Sequence, residues 1–248
     1  MWSTPHVVYT DGGKPSGRPV IAIPGWPMNT TIRSYLDTPN GPGDAQGVMM
    51  TLLATGRTVI VSASGSCWGT NTDYPDVGAL GRGVIDSAIT LAGSLGCDTT
   101  TVDLIGVSHG GCVVSNWAWR NPTKVNRIWF QAPGWDLSDI YDRDSYITGL
   151  GLPSIAENMR GVYGSADKTA WLAASAGEDP HRNLASLAPI GVRIAAVCAT
   201  NDEIVDYDGL AADLDTIGAT LTTLSSGGHF FARTASEWSD LAALRWFA

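Results

Sequence analysis

The stretch that most constrains this chain is Val102 to Gly111, VDLIGVSHGG. A short apolar run (Val102, Leu104, Ile105, Val107) leads into a serine set between Gly106 and Gly110, and a segment of helical period follows. Strand, sharp turn and helix in that order crowd the backbone at the turn, where a Cβ two residues from the serine would collide. Glycine at 106 and 110 removes the conflict. Such a turn lifts the Ser108 hydroxyl clear of a sheet and aims the backbone N–H of His109, at the helix start, toward whatever the hydroxyl attacks. The open N–H groups of a helix start favour negative charge there. G-x-S-x-G is a short pattern that also reads as a plain strand-to-helix turn, so the rest of the chain has to decide between structure and chemistry.

The surroundings read as one α/β domain over residues 1–248, because 44% of the chain is apolar and its length suffices for a sizeable core. Apolar runs at 6–10, 19–23, 58–62, 102–107, 125–131, 193–198 and 220–224 are expected as strands. A helix is expected from Val77 to Leu95, where Val77, Leu80, Val84, Ala88, Leu91 and Leu95 recur at steps of three and four, with Asp76 as N-cap and Gly96 as stop. Further helices follow Ser108 as far as Asn121-Pro122, and cover 207–217 and 235–247; a broken helical stretch spans 30–54. Alternation of this kind implies a mostly parallel central sheet flanked by helices, with sites at the carboxyl ends of its strands. From 136 to 189 the rhythm breaks into acidic residues, glycines and short helical pieces (155–163, 168–175), which we read as a cap or lid over the sheet's carboxyl edge.

A net charge of −9, spread along the chain, argues against nucleic acid as a partner and favours a small-molecule substrate. No apolar run approaches the roughly 18 residues of a membrane span. The N-terminus MWSTPHVVYTDGG has neither the basic nor the apolar region of a Sec signal, so a cytoplasmic location, or export by another route, is expected. Cys67, Cys97, Cys112 and Cys198 lack metal-ligand spacing; Cys112 and Cys198 read as core, and a Cys67–Cys97 bridge stays open. Twelve arginines against three lysines fit a GC-rich, even phage-encoded, origin.

A serine hydroxyl needs a base to take its proton, and that base needs an orienting partner. Of four histidines, His6 starts a strand, His109 points into the elbow and His181 lies in the insertion, whereas His229 follows a strand in Gly-Gly-His-Phe on the same edge as Ser108. Asp202 follows another strand on that edge. Asp136, after the preceding strand, is the competing acid, and Asp206 and Asp208 are helix-cap candidates. The order Ser, Asp, His matches one known arrangement of a catalytic triad.

GVSHG, PGWP, NPTKVNRIWFQAPGW, NDEIV and GGHF together resemble the α/β-hydrolase fold family over almost the whole chain. The resemblance implies Ser108 as nucleophile, Asp202 as acid and His229 as base, with the N–H groups of Trp26 and His109 forming an oxyanion hole. It implies an esterase- or lipase-like carboxylic-ester hydrolase working through an acyl-enzyme, without metal or organic cofactor. Pro24 departs from the histidine many members carry there, and a serine nucleophile points away from dehalogenase and epoxide hydrolase chemistry. Trp26, Trp68, Trp135 and Trp171 fall near the expected mouth, as a substrate-binding apolar wall or as cap packing. A thioesterase, peptidase or lyase on the same scaffold, or a non-catalytic module of a larger assembly, are the competing readings.

Overall fold

The computed structural model describes residues 6–10, 12–25, 56–62, 79–149, 154, 157, 167–229 and 246–247. Its strands are β1 (His6–Tyr9), β2 (Val20–Ile23), β3 (Val59–Ser62), β4 (Val102–Val107), β5 (Val125–Gln131), β6 (Ile194–Ala199) and β7 (Thr220–Leu224). They form one sheet in the order β1-β3-β2-β4-β5-β6-β7. Every pairing is parallel except β1 with β3, which is antiparallel at the edge. β2, β3, β4 and β6 are buried along their whole length, which is why β2 and β6 read as continuous apolar runs rather than alternating ones, while the buried Asp103 of β4 is paired with Arg57.

Side chains alternate between two cores, as the two-residue period of a strand requires. On one face Ile21, Ile23, Leu104, Ile128, Phe130 and Ala196 share a cluster with Val84, Ile85 and Ala88 of α1 (Ala79–Ser94) and with Val113, Val114 and Trp117 of α2 (His109–Arg120). On the other face Val20, Ala22, Ile105, Val107, Trp129 and Val197 pack together with Phe247. Trp117 and Trp129 are fully buried, and side chains of this size contribute on the order of 3 kcal/mol each by leaving water. The indole N–H of Trp117 keeps its hydrogen bond, donating to Asp86 Oδ1 at 2.8 Å.

α1 ends where its sequence says it should. Gly96 takes φ 95°, the Cys97 N–H donates to the Ala92 carbonyl at 3.0 Å, and the Gly96 N–H donates to the Gly93 carbonyl at 3.0 Å. Its expected N-cap, Asp76, lies outside the described residues. So do most of the final helix expected from 235 and all of the stretch 30–54.

The segment after β5 folds into α3 (Leu137–Asp142), α4 (Asp144–Gly149), α5 (Lys168–Ser175) and α6 (Leu184–Leu187), with 3-10 turns at His181–Asn183 and Ala188–Arg193. The helical piece expected at 168–175 is α5 itself; that expected at 155–163 lies outside the described residues but for Glu157. Leu137, Ile140, Ile147, Trp171 and Leu187 enter the same core cluster as α2, together with Leu210 and Leu214 of α7 (Tyr207–Thr216). Cys97, Cys112 and Cys198 are buried free thiols, so Cys97 forms no bridge. Among the described residues no helix is long and apolar enough to cross a membrane.

Candidate active site

Ser108 sits between β4 and α2 with φ 48° and ψ −125°, a conformation that costs a non-glycine residue about 1–3 kcal/mol and persists only when its surroundings enforce it. They do. The Ser108 N–H donates to the Gln131 carbonyl at 3.0 Å, and the Ser108 carbonyl accepts from Gly111 and Gly134 at 2.7 and 2.6 Å. The helix also lies against the sheet backbone to backbone: a Cβ at Gly110 would stand 2.1 Å from the Ile23 carbonyl oxygen, and one at Gly106 2.9 Å from that of Gly110. Both glycines of G-x-S-x-G are therefore required by close approach. The loop after β2 comes equally near, since a Cβ on Gly25 would be 2.8 Å from the Ser108 Cβ.

His229 arrives from the loop after β7, at the carboxyl end of the sheet. Its Nε2 lies 2.9 Å from Ser108 Oγ, and its Nδ1 lies 3.0 Å from each carboxylate oxygen of Asp202. Facing a carboxylate, Nδ1 donates, which leaves Nε2 as the acceptor for the serine hydroxyl. His229 and Asp202 are 5% and 7% exposed, so these contacts work largely out of water. Asp202 is fixed in turn: its Oδ1 accepts the N–H groups of Ile204 and Val205 at 2.9 and 2.8 Å, and the Cys198 thiol donates to Oδ2 at 3.6 Å. Burial, with Asp202 alongside, pushes the Cys198 thiol far up, so it acts as a donor.

The other candidates go elsewhere. Asp136 turns its carboxylate onto the first turn of α3, accepting from the N–H groups of Ser138 and Asp139 at 2.7 and 3.4 Å. Asp206 caps α7 through the Gly209 N–H at 3.2 Å. His6 lies between the hydroxyls of Ser62 and Ser87 at 2.7 and 3.0 Å. His181 bonds Asp213 Oδ2 through Nδ1 at 2.6 Å, a contact that raises its pKa, and the same oxygen accepts the Trp135 indole N–H at 2.9 Å. Trp135, His181 and Asp213 line a cavity of about 100 Å³ with Ile204 and Val205. Nearby Asp179 is pushed up to about 6, first by burial and then by Asp136.

Of the four tryptophans expected near the mouth, two are among the described residues. Trp135 and Trp171 are 2% and 1% exposed, and both belong to the core. Trp135 meets Phe130 edge to face at 5.8 Å, while Trp171 tilts against Tyr141 at 5.3 Å, contacts that fit packing of these helices onto the sheet. Trp26 and Trp68 lie outside the described residues. His109 opens α2 with its side chain buried.

Two residues at the site escaped sequence reasoning. Asn201 Oδ1 accepts the Gly228 N–H at 3.2 Å, and Glu203 Oε2 accepts the His229 N–H at 3.0 Å. Their one signal was adjacency to Asp202.

No family model matches the chain, and no curated protein matches it by sequence. Solved structures do resemble it. Est1E from Butyrivibrio proteoclasticus aligns over 98% of this chain and 92% of its own at 13% identity, with a TM-score of 0.62. Naproxen esterase (carboxylesterase NP) from Bacillus subtilis aligns over 98% and 87% at 12% identity, TM-score 0.61. The thioesterase domain from the curacin biosynthetic pathway aligns over 99% and 100% at 15% identity, TM-score 0.56. What is shared at such identities is architecture: this chain has the α/β-hydrolase fold.

Proposed function

We propose that the chain is a serine hydrolase that cleaves a carboxylic ester of a small molecule through an acyl-enzyme. The observation that carries the reading is a single imidazole bonded on both sides, to Ser108 Oγ at 2.9 Å and to Asp202 at 3.0 Å. Ser108 attacks the ester carbonyl carbon while His229 Nε2 takes the hydroxyl proton, and Asp202 holds the resulting imidazolium. As the tetrahedral intermediate collapses, the C–O bond to the leaving alcohol breaks and His229 returns the proton to it. Water, deprotonated by the same nitrogen, then attacks the acyl-enzyme and releases the acid and Ser108. The N–H groups of His109 and Trp26 hold the oxyanion in both halves; one such contact is typically worth about 10²- to 10³-fold in rate. Residues 136–189 are read as a cap over the sheet's carboxyl edge.

Likeness to a thioesterase domain favours one second reading, the same chemistry with a thiolate leaving group. Initial rates on a p-nitrophenyl ester, an acyl thioester and an aminoacyl amide separate the two. The ester is expected to turn over fastest, and Ser108→Ala to abolish that turnover. A faster thioester would move the assignment to thioesterase, and ester turnover by Ser108→Ala at the parent rate would end both readings.

A further inference from the structure

Resting on the serine hydrolase reading, we infer that Glu203 is a positioning residue for His229, its carboxylate gripping the histidine's backbone N–H so that the ring stays in line between Asp202 and Ser108. The loop that carries His229 has glycine at 227 and 228, with φ 123° and 63°. Consecutive residues without a Cβ give it little stiffness of its own, so its place depends on what holds it from outside. The turn after β6 supplies holds from three consecutive residues. Asn201 takes the Gly228 N–H, Asp202 takes the ring, and Glu203 takes the His229 N–H.

Of the two backbone holds, that of Glu203 is the stronger. It is shorter (3.0 against 3.2 Å), and it acts on the histidine itself rather than on its neighbour. The fit is close: a Cβ on Gly228 would stand 2.6 Å from a Glu203 carboxylate oxygen, so a bare backbone at 228 is what lets the carboxylate reach the next amide. The turn is anchored from the other side, where Arg143 Nη1 donates to the Glu203 carbonyl at 3.1 Å. Glu203 is itself exposed and lies in neither core cluster, so burial does not account for its place.

The test compares Glu203→Ala, which loses the acceptor, with Glu203→Gln, which keeps an acceptor and loses the charge. Ester kinetics, thermal unfolding and the downfield Nδ1 proton resonance of His229 are recorded for each. Misplacement of a catalytic group by a fraction of an ångström is costly, so Glu203→Ala is expected to lower kcat about tenfold with KM within about twofold. Its Nδ1 resonance is expected to shift or broaden, and Glu203→Gln to recover most of both signals. An unchanged kcat and resonance in Glu203→Ala would overturn the proposal, as would a glutamine variant as impaired as the alanine one, since charge rather than the hydrogen bond would then matter. The resonance needs no substrate: a parent protein inactive on esters would remove the ester-hydrolase reading, while the resonance would still report whether Glu203 holds the ring.

Discussion

Replacing His229 with alanine is expected to lower ester turnover by about 10⁴- to 10⁶-fold while the protein stays folded. The size follows from His229 Nε2 being the ring nitrogen that lies on Ser108 Oγ, at 2.9 Å. His181 is engaged with Asp213 through the nitrogen nearest it, and His6 lies between two serine hydroxyls. The fold should tolerate the change because His229 stands on a loop at the end of the sheet and belongs to neither core cluster. Asp202 would keep the N–H groups of Ile204 and Val205. Initial rates on a p-nitrophenyl ester, beside a thermal unfolding curve, check this. A folded variant within tenfold of the parent would mean that the serine proton leaves by another path.

Asp202→Asn is expected to cost about 10⁴-fold in kcat with little change in shape. The asparagine can keep a carbonyl on the Ile204 and Val205 N–H groups, which turns its NH₂ toward Nδ1. That nitrogen must then accept, so the ring proton moves to Nε2, where it faces the serine hydroxyl and can no longer receive its hydrogen. Asp136→Asn is the control, since the side chain of 136 bonds only the first turn of its own helix. Its ester kcat should stay within about twofold of the parent. Equal losses in the two variants would put the acid assignment back in question.

Much of the fold was legible because its signals are local. Strands covered on both faces favour continuous apolar residues, and β2 and β6 supply them. Gly106, Gly110 and Gly96 mark positions where backbone approach or a left-handed turn admits no side chain. Features set by distant packing were not legible. Trp135 and Trp171 follow the expected mouth in sequence, yet whether they face a substrate or the core depends on how the helices after β5 dock. Asp136 and Asp202 both trail a strand on the same edge, and one carboxylate turns onto its own helix while the other meets a ring 27 residues away. Glu203 acts on a backbone amide, a contact for which no residue pattern exists. The antiparallel β1 likewise follows from which edge its few residues reach, not from their composition.

The most direct measurement is the mass of the protein and of its peptides after incubation with a fluorophosphonate. The expected result is one adduct, on Ser108, formed quickly in the parent, far more slowly in His229→Ala and not at all in Ser108→Ala. Folded protein that turns over esters yet carries no adduct, or carries it on another residue, would contradict the assignment of Ser108 as the nucleophile.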